Sequence, residues 1–157
     1  MNRVRRAFLT CSGKLAGIAV ALAAGMVKPI QLWAAEWNKA GFESKTSAEV
    51  LKNIGAANAQ PSNDVLIKAP DLAEDGAAVP IEVTSRIAGT RSIAIVAEKN
   101  PFPLVANFVF AAGAEGYAST RIKLAETSII RVLVKVADGK SYAASKEIKV
   151  TIGGCGV

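Results

Sequence analysis

The sequence has no histidine. That absence removes the commonest general base, the commonest metal ligand and the usual axial ligand of haem. Cysteine is nearly absent too: Cys11 and Cys155 stand at opposite ends of 157 residues. Two isolated thiols build neither a zinc site of the four-cysteine or cysteine–histidine kind nor a disulfide framework. Long apolar runs are also missing. The longest in the N-terminal region, Leu15–Val27 (LAGIAVALAAGMV), has 13 residues, about 20 Å of helix against the ~30 Å of a bilayer core. With 51% apolar and 20% charged residues, the chain is too apolar and too evenly charged to be disordered, and its length suits one domain with an appendage.

What is present begins with an uneven distribution of charge. The formal charge is +6, but five of the 19 basic residues (Arg3, Arg5, Arg6, Lys14, Lys28) lie in the first 35 positions, which hold no acid. Residues 36–157 keep 14 basic and all 13 acidic residues, a net of +1. That remainder offers no basic footprint for nucleic acid. The basic stretch, the apolar run and the small residues Ala34–Ala35 read as a cleavable export signal over 1–35. Within it, Arg5-Arg6-Ala7-Phe8-Leu9 resembles the twin-arginine signal, so a periplasmic protein is expected, with no membrane association after cleavage. Cys11 would leave with the signal, and residues 36–157 would carry Cys155 as their one thiol.

The exported part, 36–152, reads as all-β with one short N-terminal helix. Thr46 and Glu49 have capping-box spacing, and Phe42, Val50, Leu51 and Ile54 form a helical stripe over Phe42–Ala57. From Asp64 the texture changes to short apolar or alternating runs: Val65–Ala69, Ile81–Ile87, Ser92–Ala97, Leu104–Ala111, Thr120–Leu124, Ile129–Ala137 and Tyr142–Ile152. About seven short strands argue an immunoglobulin-like β-sandwich or a small barrel. Asp138-Gly139 predicts a two-residue hairpin of type I′. In the last strand Ile148, Val150 and Ile152 share a face, with Glu147, Lys149 and Thr151 opposite.

The chain ends Gly153-Gly154-Cys155-Gly156-Val157. A frayed end is the plain reading, but an unpaired exposed thiol is a liability in an oxidising compartment. The alternative is a flexible arm over 153–157, in which Gly153, Gly154 and Gly156 minimise cross-section and leave the backbone free. Nothing adjacent in sequence lowers the thiol pKa from about 8.5, and a nearby terminal carboxylate raises it. The tail therefore suits a handle activated by the enzymes it visits.

At these residues the sequence resembles the SoxY family of thiosulfate-oxidation sulfur carriers. The resemblance runs from the Arg5–Leu9 signal and Trp37…Phe42 through Ala69-Pro70, Ala73-Glu74-Asp75-Gly76 and Val79-Pro80. It continues in Asn100-Pro101-Phe102-Pro103, Ser119-Thr120-Arg121-Ile122-Lys123 and Val150 to Gly156. The family typically ends Gly-Gly-Cys-Gly-Gly; here Val157 replaces the last glycine. The resemblance implies an immunoglobulin-like domain with no cofactor or metal of its own and no catalysis of its own, Cys155 being the covalent attachment point for sulfur. It implies a heterodimer with a small β-sandwich subunit, SoxZ. It also implies visits to a c-type cytochrome, a dimanganese hydrolase and, in some systems, a molybdenum–haem dehydrogenase. Asp75-Gly76 and Asn100-Pro101 read as turns, Glu74 as a solvated carboxylate, Arg121 and Lys123 as a solvated strand face, and Trp37 as a tether to the core. A different class stays open: an immunoglobulin-like adaptor whose Cys155 makes an intermolecular disulfide.

Overall fold

Two short helices open the part of the chain that the computed structural model describes, residues 37–153. The chain divides into a unit Met1–Glu36 and a unit Trp37–Val157, and only the second is described here. The expected single helix is two: α1 (Lys39–Glu43) and α2 (Ser47–Asn53). Ser44 and Thr46, both with extended backbone, separate them. The capping box forms in both directions, Glu49 N–H donating to Thr46 Oγ1 and Thr46 N–H to a Glu49 carboxylate oxygen. Trp37 does not enter the core. It is 67% exposed and stacks on Phe42 with ring centroids 4.4 Å apart.

All seven expected strands form, with shifted ends, and two more join them. In chain order they are β1 (Gln60–Pro61), β2 (Val65–Lys68), β3 (Leu72–Asp75), β4 (Val79–Ser85), β5 (Thr90–Ala97), β6 (Leu104–Val109), β7 (Tyr117–Ile122), β8 (Ser128–Val136) and β9 (Ser141–Ile152). One sheet has the order β1-β9-β8-β5-β6, with β3 also paired to β9; the other has the order β2-β4-β7. The architecture is an immunoglobulin-like sandwich of two sheets.

Its core lies between the sheets and is built of β-branched residues, including Ile81, Val83, Ile93, Ile95, Ile130, Val132, Val134 and Ile148, all buried. Each such side chain contributes about 1.5–3 kcal/mol by leaving water. The central strands β5 and β8 are buried on their second face as well. There Ala94, Val96 and Leu133 pack with Val50 and Ile54 of the α2 region. That double cover explains why β5 is continuously apolar from Ile93 to Ala97 instead of alternating.

The β8–β9 hairpin forms where expected but with a different turn. Asp138 does not have positive φ; only Gly139 does, at +85°. Gly139 N–H donates to Val136 O and Val136 N–H to Lys140 O, which makes a three-residue loop closed by a glycine bulge. Asp138 prefers negative φ because its carboxylate then accepts from Lys140 N–H and pairs with Lys140 Nζ. The alternation of β9 also fades at its end: Ile148 is buried and Val150 partly buried, but Ile152 is 66% exposed.

Candidate functional site: the root of the C-terminal segment

Of the site residues expected from sequence, Gly153 is described. Arg5, Arg6, Gly154, Cys155 and Gly156 lie outside the described residues, as does the export signal over 1–35. The site accessible to structural reasoning is therefore the root from which the Cys155 segment departs.

β9 delivers that root, and two parallel partners hold its outer edge. β1 pairs at Tyr142 and Ala143, and β3 pairs from Lys149 to Ile152. Covering an edge in this way removes free backbone groups that would otherwise recruit other strands. Between the two partners, Lys146 Nζ bridges to the Ala69 carbonyl at 2.6 Å and to Asp71 Oδ1 at 2.9 Å. Asp71 O in turn accepts from Lys149 N–H. The hydrogen bond from Lys146, followed by its charge, holds the exposed Asp71 carboxyl below the usual carboxylate range. This clamp sets β3 alongside the last residues of β9.

The end of β9 also rests on the loop between β7 and β8. Val150 N–H donates to Thr127 Oγ1 at 3.0 Å. Gly153 is exposed, yet its backbone passes so close to this loop that a Cβ would overlap the Ala125 carbonyl oxygen. Its φ is not in the left-handed region. Gly153 is therefore required there by close approach. Its role as a source of backbone freedom does not follow from this geometry.

The loop is itself pinned by Asn100, which is buried. Asn100 Oδ1 accepts from Ala125 N–H at 2.9 Å and Asn100 Nδ2 donates to Lys123 O at 2.7 Å. Leu124 N–H donates to Gly76 O, tying the same loop to the turn after β3. Sequence reasoning read Asn100-Pro101 as a turn, and its N–H does donate to Ala97 O. What that reading missed is the side chain, whose partners lie 23 and 25 residues away. Asp75-Gly76 behaves as expected, Asp75 capping a 3-10 turn through Ala77 N–H at 2.7 Å. Glu74, Arg121 and Lys123 are exposed.

Two clefts flank this region differently. One of about 310 Å³ opens between β6 and β7, lined by Asn100, Phe102, Leu104, Arg121 and Lys123, and so shares Asn100 and Lys123 with the root. A larger one of about 680 Å³ lies along residues 143–146 of β9, against β2 and Arg131, further back along the strand. Arg131 is engaged with Glu98 at 2.7 Å. Among the described residues no cluster of three or more acids, cysteines or histidines could hold a metal. Among them, too, no helix is long and apolar enough to cross a membrane.

Comparison with known proteins bears on this root directly. The family described as "Sulfur oxidation protein SoxY" matches residues 51–155, so the matched span closes on the cysteine. The solved structure of the sulfur carrier protein SoxY from Chlorobium limicola f thiosulfatophilum is similar at 38% identity and a TM-score of 0.58. The match covers 68% of this chain and 100% of that one. A superoxide reductase (neelaredoxin) from Ignicoccus hospitalis aligns at 21% identity and a TM-score of 0.48, over 63% of this chain and 86% of that one. No curated protein matches. With two thirds of its length matched through to Cys155, the chain belongs to the SoxY family of sulfur oxidation proteins.

Proposed function

We propose that this protein is a periplasmic sulfur carrier that holds thiosulfate-derived sulfur on Cys155 and presents it to separate enzymes. The observation that carries the proposal is the position of the thiol. Cys155 is the one cysteine of residues 36–157, it follows the end of β9 by three residues, and the family match runs up to it.

The chemistry balances with Cys155 as the carrier. Its thiolate joins the sulfane sulfur of thiosulfate, giving Cys–S–S–SO₃⁻ and releasing two electrons to a c-type cytochrome. Water then cleaves the terminal S–S bond at a dimanganese hydrolase, giving sulfate, two protons and Cys–S–S⁻. Oxidation of the outer sulfur by a molybdenum–haem dehydrogenase takes three waters and releases six electrons and six protons, leaving Cys–S–SO₃⁻. A second hydrolysis frees the thiolate with another sulfate. This chain's part in each step is to bear the sulfur. The metals belong to the partners.

Export through the twin-arginine route, directed by Arg5 and Arg6, places the carrier in the same compartment as those enzymes. A SoxZ-like β-sandwich subunit completes the complex. β6 supports that pairing: it is the edge of its sheet, Val109 is exposed, and Phe108 and Phe110 are only partly buried. Exposed apolar surface of this kind marks an interface.

Mass spectrometry of the exported protein tests the carrier proposal. Adducts of sulfane sulfur or thiosulfate on Cys155 support it. A quantitative Cys155–Cys155 disulfide without adducts would favour an adaptor. N-terminal sequencing that finds Met1 on exported protein would refute the cleaved signal, and normal export of an Arg5→Lys, Arg6→Lys variant would refute the twin-arginine route.

A further inference from the structure

The end of β9 rests on a loop that shares no strand with it. Ala125 lies between β7 and β8, and its carbonyl faces Gly153 with no room for a side chain. The side-chain amide of Asn100 pins the loop that carries this carbonyl. Asn100 reaches the loop from the end of β5, receiving the Ala125 N–H on Oδ1 and giving Nδ2 to Lys123 O. Its own N–H is fixed to Ala97, the last residue of β5. A planar amide bonded at both ends has little freedom to turn. The path from the buried interior to the chain's exit therefore runs from β5 through Asn100 and Ala125 to Gly153. Val150 of β9, donating to Thr127 in the loop, and Gly76, accepting from Leu124, brace the same loop.

We propose that Asn100 is the positioning residue of the carrier: by pinning the loop whose Ala125 carbonyl abuts Gly153, it fixes the point on the sandwich from which the Cys155 segment starts. The purpose of this seat rests on the carrier reading; its geometry does not. On this account Gly153 is the fixed point, the pivot at which the described chain meets the Cys155 segment. Cys155 is two positions beyond Gly153, a reach of about 7 Å at full extension. A root fixed in place confines the thiol to a small region and raises its effective concentration at a docked enzyme.

Distance measurement by electron paramagnetic resonance tests this on the full chain. Nitroxides on Cys155 and on Lys140→Cys, in a Cys11→Ser background, span β9, whose 12 residues give a ruler of about 40 Å. The parent should give one dominant distance. Asn100→Ala and Gly153→Ala should each lose that maximum and spread toward shorter distances. Asn100→Asp, which can still accept from Ala125 N–H, should keep more of it than Asn100→Ala. If Asn100→Ala does not fold, the exposed Gly153→Ala carries the test alone. A parent without a dominant distance, or variants that melt earlier yet keep the parent distribution, would overturn the proposal. Sulfur loading of Cys155 is read separately. Loading intact with distributions unmoved defeats the pivot alone, whereas a variant-sensitive distribution with no loading defeats the carrier reading alone.

Discussion

The two ends of β9 are each marked by a glycine, and the two glycines are there for different reasons. At the hairpin end Gly139 has φ +85° and open space where a Cβ would stand. At the tail end Gly153 has no left-handed φ but faces the Ala125 carbonyl without room for a Cβ. The first glycine serves backbone conformation and the second serves packing. One end is closed locally, by Asp138 and Lys140 beside the turn. The other is held by groups remote in sequence: Asn100, Thr127 and β3. Local closure suffices for a turn, whereas remote anchoring ties the end of β9 into the body of the sandwich.

The sharpest way to break this contrast is to remove the remote anchor. Asn100→Ala leaves the Ala125 N–H and the Lys123 carbonyl without their partner, and a loss of about 2–4 kcal/mol is expected from two unsatisfied groups. Urea denaturation measures it. A loss below 0.5 kcal/mol, the ordinary range of surface changes, would mean the loop holds itself.

The same substitution at the two glycines should then separate them. Gly139→Ala should cost about 1 kcal/mol, because alanine is strained at positive φ. Hydrogen exchange should quicken at the hairpin amides of Val136 and Gly139. Gly153→Ala should leave the hairpin protected and quicken exchange at Lys149 and Val150, where β3 and Thr127 hold the strand. Equal effects at both ends from either variant would erase the distinction.

The smallest effect concerns the clamp on β3. The Asp71 carboxyl is held below the usual carboxylate range by Lys146. A lowered acid stabilises the fold above its unfolded pKa and loses that contribution as pH falls through its folded pKa. Asp71 is fully exposed, so the contribution is slight. Asp71→Asn should therefore flatten the acid limb of the stability–pH curve slightly and leave neutral pH nearly unchanged. Asp138, lowered by Lys140 N–H and its amine, predicts the same behaviour at the other end. A steeper acid limb after Asp71→Asn would contradict the sign.

How much of this was legible in the sequence depends on how far apart the partners lie. The capping box of Thr46 and Glu49 is local, and both of its hydrogen bonds form. The seven apolar runs announce seven strands because burial on one face or two imposes their pattern. β1 and β3 carry no such pattern. β1 has two exposed residues including Pro61, and β3 buries only Ala73; each exists because the edge of β9 accepts it in parallel. Glycine letters in the tail suggested freedom, but Gly153 answers to a carbonyl 28 residues earlier, and no neighbouring letter reports that contact. Asn100-Pro101 displayed a turn, while the function of its side chain depended on the loop between β7 and β8, 23 to 25 residues away in sequence.

The central claim is that Cys155 bears sulfur, and the most direct measurement is the intact mass of the protein during thiosulfate oxidation with its partner enzymes present. The account predicts thiosulfonate and persulfide adducts that map to the C-terminal peptide, vanish on reduction and fail to form in Cys155→Ser, whose melting temperature stays that of the parent. Turnover of thiosulfate with an unmodified Cys155, or undiminished turnover by Cys155→Ser, would contradict it.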